Sequence, residues 1–141
     1  MCLKNPRYTR GVSVFPVGLV GTFGLSSPVV KAGVGEEKQE VEGWYDHWDH
    51  GRKFMLDMAG FAFSVALYRN RSQGSPILMP PRRGREEDDF LKMMGLEMAE
   101  LEVISPEEVL VWHTKTVKSP MPRDPGTKYK GTNVALLWSQ V

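Results

Sequence analysis

The chain has 141 residues, 41% hydrophobic and 25% charged, which is the size and apolar content of one globular domain rather than a disordered chain. Its 18 Lys+Arg against 17 Asp+Glu leave a net charge of +1, so no overall electrostatic pull toward nucleic acid or acidic membranes is expected. The single cysteine, Cys2, excludes an internal disulfide and a cysteine-based zinc site, and no run approaches the roughly 20 apolar residues of a membrane helix.

Met1 to Arg10 is basic and has no apolar core, which is not the pattern of a signal peptide. It suits a genuine start and equally a cut through a longer protein. Val12 to Gly21 is almost continuously apolar, as in a strand buried on both faces. Pro16 has no N–H to give a ladder, which predicts an edge or a bulge there. Gly21 to Pro28 reads as a turn-rich loop, and Val29-Val30 as the start of a second short strand. Gly33 to Glu42, rich in glycine and glutamate, reads as a solvated hairpin or insertion.

Gly43 to Phe63 holds the densest aromatic and ionisable content, and Met58 to Leu67 suits either a strand or a buried helix. Arg69 to Arg85 is a loop. Glu86 to Leu101 is the best helix candidate, because Phe90, Met94, Met98 and Leu101 recur at helical spacing behind the acidic run Glu86–Asp89. Val109 to Trp112 predicts a short strand leading into His113. From Lys118 onward, Pro120, Pro122, Pro125 and Gly126 predict an extended tail. No internal repeat is visible, and the order reads as mixed α/β.

Asp46-His47-Trp48-Asp49-His50 places two histidines three residues apart, but no further histidine lies nearby to complete a metal ligand set. Trp44, Tyr45 and Trp48 offer flat apolar faces beside hydrogen-bonding groups, a pairing that suits sugars; they are equally ordinary core residues. Asp57 is a helix cap or a carboxylate at the rim of a cleft. Glu87 is a general base or only a partner of the helix dipole. His113 with Lys115 can neutralise a phosphate or simply lie on the surface. Pro80-Pro81-Arg82-Arg83-Gly84-Arg85 is too short and local to establish a proline-reading or nucleic-acid partner. Singly, none of these names a function.

Their order does more. Val12-Ser-Val-Phe-Pro-Val-Gly-Leu-Val-Gly21, Trp48 with Arg52-Lys-Phe-Met-Leu-Asp-Met-Ala-Gly-Phe-Ala62, Glu87-Asp-Asp-Phe-Leu91 and Leu110-Val-Trp-His-Thr-Lys-Thr116 together resemble the C-terminal half of the β-1,3-glucuronosyltransferases, glycosyltransferase family 43. The resemblance runs from about Thr9 to Lys118, interrupted at Lys31–Glu42 and Arg69–Arg85. It implies the acceptor-binding part of a GT-A-type nucleotide-diphospho-sugar transferase fold in residues 1–118, with residues 119–141 as the tail.

The implied activity is inverting transfer of glucuronic acid from UDP-glucuronate to a galactose-terminated glycan. Glu87 would be the base, Trp48, Arg52 and Asp57 would hold the acceptor, and His113 and Lys115 would face the donor. Lys115 stands where the family usually has arginine, which keeps the charge but not the bidentate fork. Ser26 stands where the family commonly has an acceptor-contacting glutamate, which opens the door to another acceptor such as a xylan. The family's Asp-Asp-Asp motif holds Mn²⁺, and no Asp-x-Asp triplet occurs in this sequence.

Mn²⁺ is therefore expected of the complete enzyme and no metal ligand is assigned here. The resemblance further implies a homodimer on the lumenal side of the Golgi membrane, with the membrane anchor outside this sequence. Two other readings stand beside it. One is a non-catalytic carbohydrate-binding remnant. The other is a half that does not fold stably alone, its Val12–Val20 strand edge left unpaired.

Overall fold

The computed structural model describes residues 5–32, 39–48, 51–78, 82–118, 121 and 123–141. Seven short strands and three helices alternate along it, so the mixed α/β class holds. The first strands, β1 (Val12–Val14) and β2 (Val17–Gly18), arise from the single apolar run. They do not continue one another. β1 lies between β5 (Phe61–Phe63) and β6 (Leu101–Val103), antiparallel to the first and parallel to the second. β2 lies between β3 (Leu25–Val29) and β7 (Val111–Trp112), with β4 (Gly43–Tyr45) on the far side of β3.

The run therefore leaves one sheet and enters another across Phe15-Pro16. Proline has no N–H for either ladder, and the chain turns where pairing would otherwise fail. The Phe15 N–H is taken by the Gly60 carbonyl at 3.0 Å. The edge or bulge expected at Pro16 is thus a crossing between sheets. The unpaired edge expected at Val12–Val20 is also absent over 12–14 and 17–18, which are paired on both sides.

The loop expected over Gly21–Pro28 is shorter. Leu19 N–H bonds the Gly24 carbonyl at 2.7 Å to close a turn, and β3 begins at once. Met58–Leu67 is neither one strand nor one buried helix. It divides into a single 3-10 turn at Met58–Gly60, then β5, then the start of α1 (Val65–Ser72), which Ser64 caps and which buries no residue.

The long helix expected over Glu86–Leu101 stops early. α2 spans Glu86–Met93. Gly95 then takes φ +66°, its N–H bonds Lys92 O at 2.9 Å, and Leu96 N–H bonds Leu91 O at 3.3 Å. A left-handed glycine with such bonds ends a helix whatever apolar spacing follows. Leu91, Met94, Leu96 and Leu101 still reach one core with Val12, Val14, Phe54 and Leu56, through a turn and a strand rather than a helix face.

A second core joins Leu25, Val29, Tyr45 and Val109 to Val134 and Leu137 of α3 (Asn133–Leu137). The residues after 123, expected to be extended, fold back instead. Asn133, fully buried, accepts from Val30 N–H at 2.9 Å and donates to Pro28 and Pro106 carbonyls at 3.0 Å each. The oxygen and both N–H groups of that amide are engaged, which fixes α3 against β3 and the loop before β7. Gly33–Glu42 lies mostly outside the described residues.

β2 and β7 meet so closely that Gly18 has no room for a side chain. A Cβ there would lie 2.5 Å from Cε3 and 2.7 Å from Cζ3 of Trp112. Gly18→Ala is expected to displace that indole and destabilise the fold by about 1–3 kcal/mol, the usual cost of overfilling a packed site. Chemical denaturation measures it; an unchanged midpoint would show that Trp112 moves aside freely.

Candidate functional site

Two backbone junctions bring the site together. Gly60 is buried, and a Cβ there would stand 3.2 Å from Val17 Cγ2 and 3.4 Å from the Phe15 carbonyl. Its small size lets the Met58–Gly60 turn sit under the crossing between sheets. Asp57 begins that turn, and its Oδ1 accepts from Ala59 N–H at 2.9 Å. On the other side, His113 N–H bonds the Gly18 carbonyl at 2.9 Å as β7 ends.

His113 Nδ1 then lies 3.2 Å from Asp57 Oδ2. A carboxylate only accepts, so Nδ1 carries the proton in this contact, and Nε2 is the nitrogen left to the outside. Asp57 is a cap, as one of its two sequence readings had it, and its second carboxylate oxygen is turned to His113, so the two residues are direct neighbours.

Glu87 opens α2, half-buried. Burial pushes its carboxyl above the ordinary glutamate range, with Glu86 and Asp57 adding to the rise; its own backbone N–H and the Arg52 guanidinium pull the other way. Arg52 is tethered by the Gly84 carbonyl, in the loop just before α2. Asp46, 8% exposed, lies in the same electrostatic neighbourhood. Burial raises it too, and Asp57 adds to the rise, while Ser26, the Trp48 N–H and Arg52 lower it. Arg52 thus lowers both Asp46 and Glu87, while Asp57 raises both.

The aromatic cluster divides. Tyr45 is core at 3% exposure, and Trp44 is partly buried with its Nε1–H on the Lys53 carbonyl at 3.1 Å. Trp48 alone of the three is open, at 50%. Lys115 is exposed in the segment after β7 and makes no hydrogen bond or ion pair among the described residues; the structure does not gather it with the others.

His47 places Nδ1 2.9 Å from the Thr22 hydroxyl, while Asp49 and His50 lie outside the described residues, as do Pro80 and Pro81. Arg82 pairs with buried Asp89, and Arg85 reaches Asp88 and the Gly51 carbonyl. These arginines brace α2 rather than forming a free basic patch. Among the described residues, no three His, Cys, Asp or Glu side chains converge as a metal site would need, and no helix is long and apolar enough to cross a membrane.

Sequence reasoning passed over Asp88. It is fully buried, and its Oδ1 accepts from the N–H groups of Lys53 and Phe54 at 2.9 Å each. Its Oδ2 accepts from Lys92 Nζ at 2.6 Å. Burial alone would raise this carboxyl, but the Lys92 and backbone hydrogen bonds outweigh it and hold it below the ordinary range. Asp88 thereby clamps the helix that carries Glu87 to the segment that carries Arg52. The signal was present: Asp88 shares a helix face with Leu91 and Lys92, three and four residues on.

The comparisons with known proteins agree with this arrangement of segments. The family model described as Glycosyltransferase family 43 matches residues 2–117. Galactosylgalactosylxylosylprotein 3-beta-glucuronosyltransferase P of Drosophila melanogaster is 42% identical over 135 residues, 93% of this chain and 26% of its own. The mouse proteins named galactosylgalactosylxylosylprotein 3-beta-glucuronosyltransferase 2 and 3 are 39% and 34% identical over 86% and 91% of this chain, in each case 36% of their own length. The chain thus spans between a quarter and two fifths of the curated relatives it matches. A match across most of its length, at these identities, means that the chain belongs to glycosyltransferase family 43.

Proposed function

We propose that the chain is the acceptor-side part of a GT-A-type glucuronosyltransferase that moves glucuronic acid from UDP-glucuronate to a galactose-terminated glycan. Residues 1–118 form that acceptor side, and α3 of the following segment packs against β3 and β4. One observation carries the reading: half-buried Glu87 stands in the first turn of α2, which Asp88 clamps to the Lys53–Phe54 backbone beside Arg52, itself held by the Gly84 carbonyl just before that helix.

In this reading the indole of Trp48 carries the apolar face of the acceptor sugar, and Arg52 and Asp57 hold its hydroxyls. Glu87 takes the proton of the attacking hydroxyl. That oxygen forms a bond to the anomeric carbon from one face while the bond to the UDP oxygen breaks on the other, so the configuration inverts. His113, steadied by Asp57, presents Nε2 to the donor, and Lys115 supplies a charge there only once the donor draws it in. The Mn²⁺ implied for the complete enzyme would neutralise the leaving diphosphate. The described residues offer no ligand set for it. A homodimer on the lumenal side of the Golgi membrane completes the proposal. Ser26, buried under Asp46, leaves a xylan-type acceptor as the variant to assay beside galactosides.

The test is transfer to a β-galactoside with UDP-glucuronate and Mn²⁺, followed as kcat/KM against pH. A raised Glu87 is protonated up to a higher pH, so the acid limb is expected above the ordinary glutamate value of about 4.3. Arg52 lowers Glu87, so Arg52→Gln should move the limb further up. A limb that stays put or falls would break the link between the two. Galactoside binding with no transfer would favour the binding-only reading.

A further inference from the structure

Asp46 was not among the residues singled out for sugar binding. It is 8% exposed, yet the residue two positions on, Trp48, is 50% exposed. The Trp48 N–H donates to Asp46 Oδ1 at 2.7 Å. An aspartate that accepts from the N–H two residues ahead makes the chain turn by imitating a backbone turn. Here the turn lifts the chain from buried Tyr45 at the end of β4 to an open indole within three residues.

The carboxyl is itself secured from beneath by the buried Ser26 side chain on β3, the strand paired with β4. The indole is steadied at its edge by His47, whose ring lies T-shaped to it at 5.5 Å, and His47 in turn is held by Thr22. The β3–β4 ladder, Ser26 and Asp46 therefore form one chain of contacts ending at Trp48.

We infer that Asp46 is a positioning residue for the sugar platform: its carboxyl fixes the turn that presents the Trp48 indole. This rests on the acceptor-side reading of Trp48. Side-chain length and acceptor oxygen are what the turn needs, and Asn supplies both, whereas charge alone would be lost in Asn and Ala alike.

The experiment uses the whole chain and two readouts. The first is hydrogen exchange at the Trp48 amide, read by NMR without any sugar. Exchange is expected to be about fivefold faster in Asp46→Ala, the loss of one hydrogen bond of roughly 1 kcal/mol, and near wild type in Asp46→Asn. The second is titration with galactosyl-β-1,3-galactose, followed on the Trp48 indole N–H signal. Affinity should fall about tenfold in Asp46→Ala, with Asn restoring most of it. Equal losses in Asn and Ala, or unchanged exchange in Ala, would overturn the inference.

If wild type itself fails to bind the disaccharide, the sugar reading falls, and the amide readout alone decides the role of Asp46. Should Asp46→Ala fail to fold, Ser26→Ala takes its place. Loss of the supporting hydroxyl should then speed Trp48 exchange by a smaller factor, and no change there would also overturn the inference.

Discussion

Replacing Asp88 by alanine is expected to destabilise the fold by about 3–5 kcal/mol, the largest effect of any single change outside the apolar cores. The carboxylate is fully buried and accepts from two backbone N–H groups and the Lys92 ammonium. Alanine would leave the N–H groups of Lys53 and Phe54 without an acceptor and the Lys92 and Arg85 charges without their anion. Asn keeps the acceptor oxygen for the N–H pair and should cost less than half as much. Urea unfolding measures both, and an Asp88→Ala midpoint within experimental error of wild type would refute the clamp.

The pH dependence has a definite sign. Asp88 is lowered in the folded state, so its contribution is complete above the unfolded carboxylate value near pH 4 and is lost as pH falls through the lower folded value. Wild type should lose stability in that acid window more steeply than Asp88→Asn.

Glu87→Gln is expected to lower kcat by about 10²–10⁴-fold, the range spanned by a positioned general base. Glutamine preserves the size and hydrogen-bonding reach of the side chain but cannot take a proton. Binding of galactosyl-β-1,3-galactose should change little, since the contacts proposed for it are Trp48, Arg52 and Asp57. Transfer assays with UDP-glucuronate and Mn²⁺, paired with disaccharide titration, separate the two quantities. Retained turnover would remove Glu87 as the base, and lost sugar binding would make it a ligand contact instead.

How far the sequence reached can be judged from particular residues. The start of α2 was legible because four acidic residues meet a helix dipole ahead of an amphipathic stripe. Its end was not. Met98 and Leu101 keep helical spacing to Phe90, yet Gly95 stops the helix, and the core accepts Leu101 from a strand just as well. Apolar spacing reports burial and is silent about which element delivers it.

Pro16 marked a disturbance correctly, but whether a strand ends, bulges or changes sheet depends on partners up to 94 residues away. The fold-back of α3 through Asn133 has no local signature at all, because a buried asparagine is decided by the carbonyls it meets.

At the site, Glu87, Arg52, Asp57 and His113 were legible only through the order of their segments. No single spacing joins them, since Arg52 and Glu87 stand 35 positions apart and meet through the loop at Gly84. Asp46 and Asp88 were named only as members of their runs, for a plainer reason. Asp88 and Asp89 are buried while Glu86 and Glu87 of the same run are partly open, and composition cannot tell buried acids from open ones.

The crossing at Phe15-Pro16 bears on how such a chain tolerates change. Asp57 is referenced to one end of that crossing through Gly60 and Phe15, and His113 to the other through Gly18. The distance between them is therefore counted out in residues along one strand rather than set by their own side chains. Substitutions on the outer surface leave that count intact. A single inserted or deleted residue between Val14 and Val17 does not, because it turns β2 over and carries β7 with it. Length variation is thus barred from this segment and diverted to the loops that the two sheets do not share.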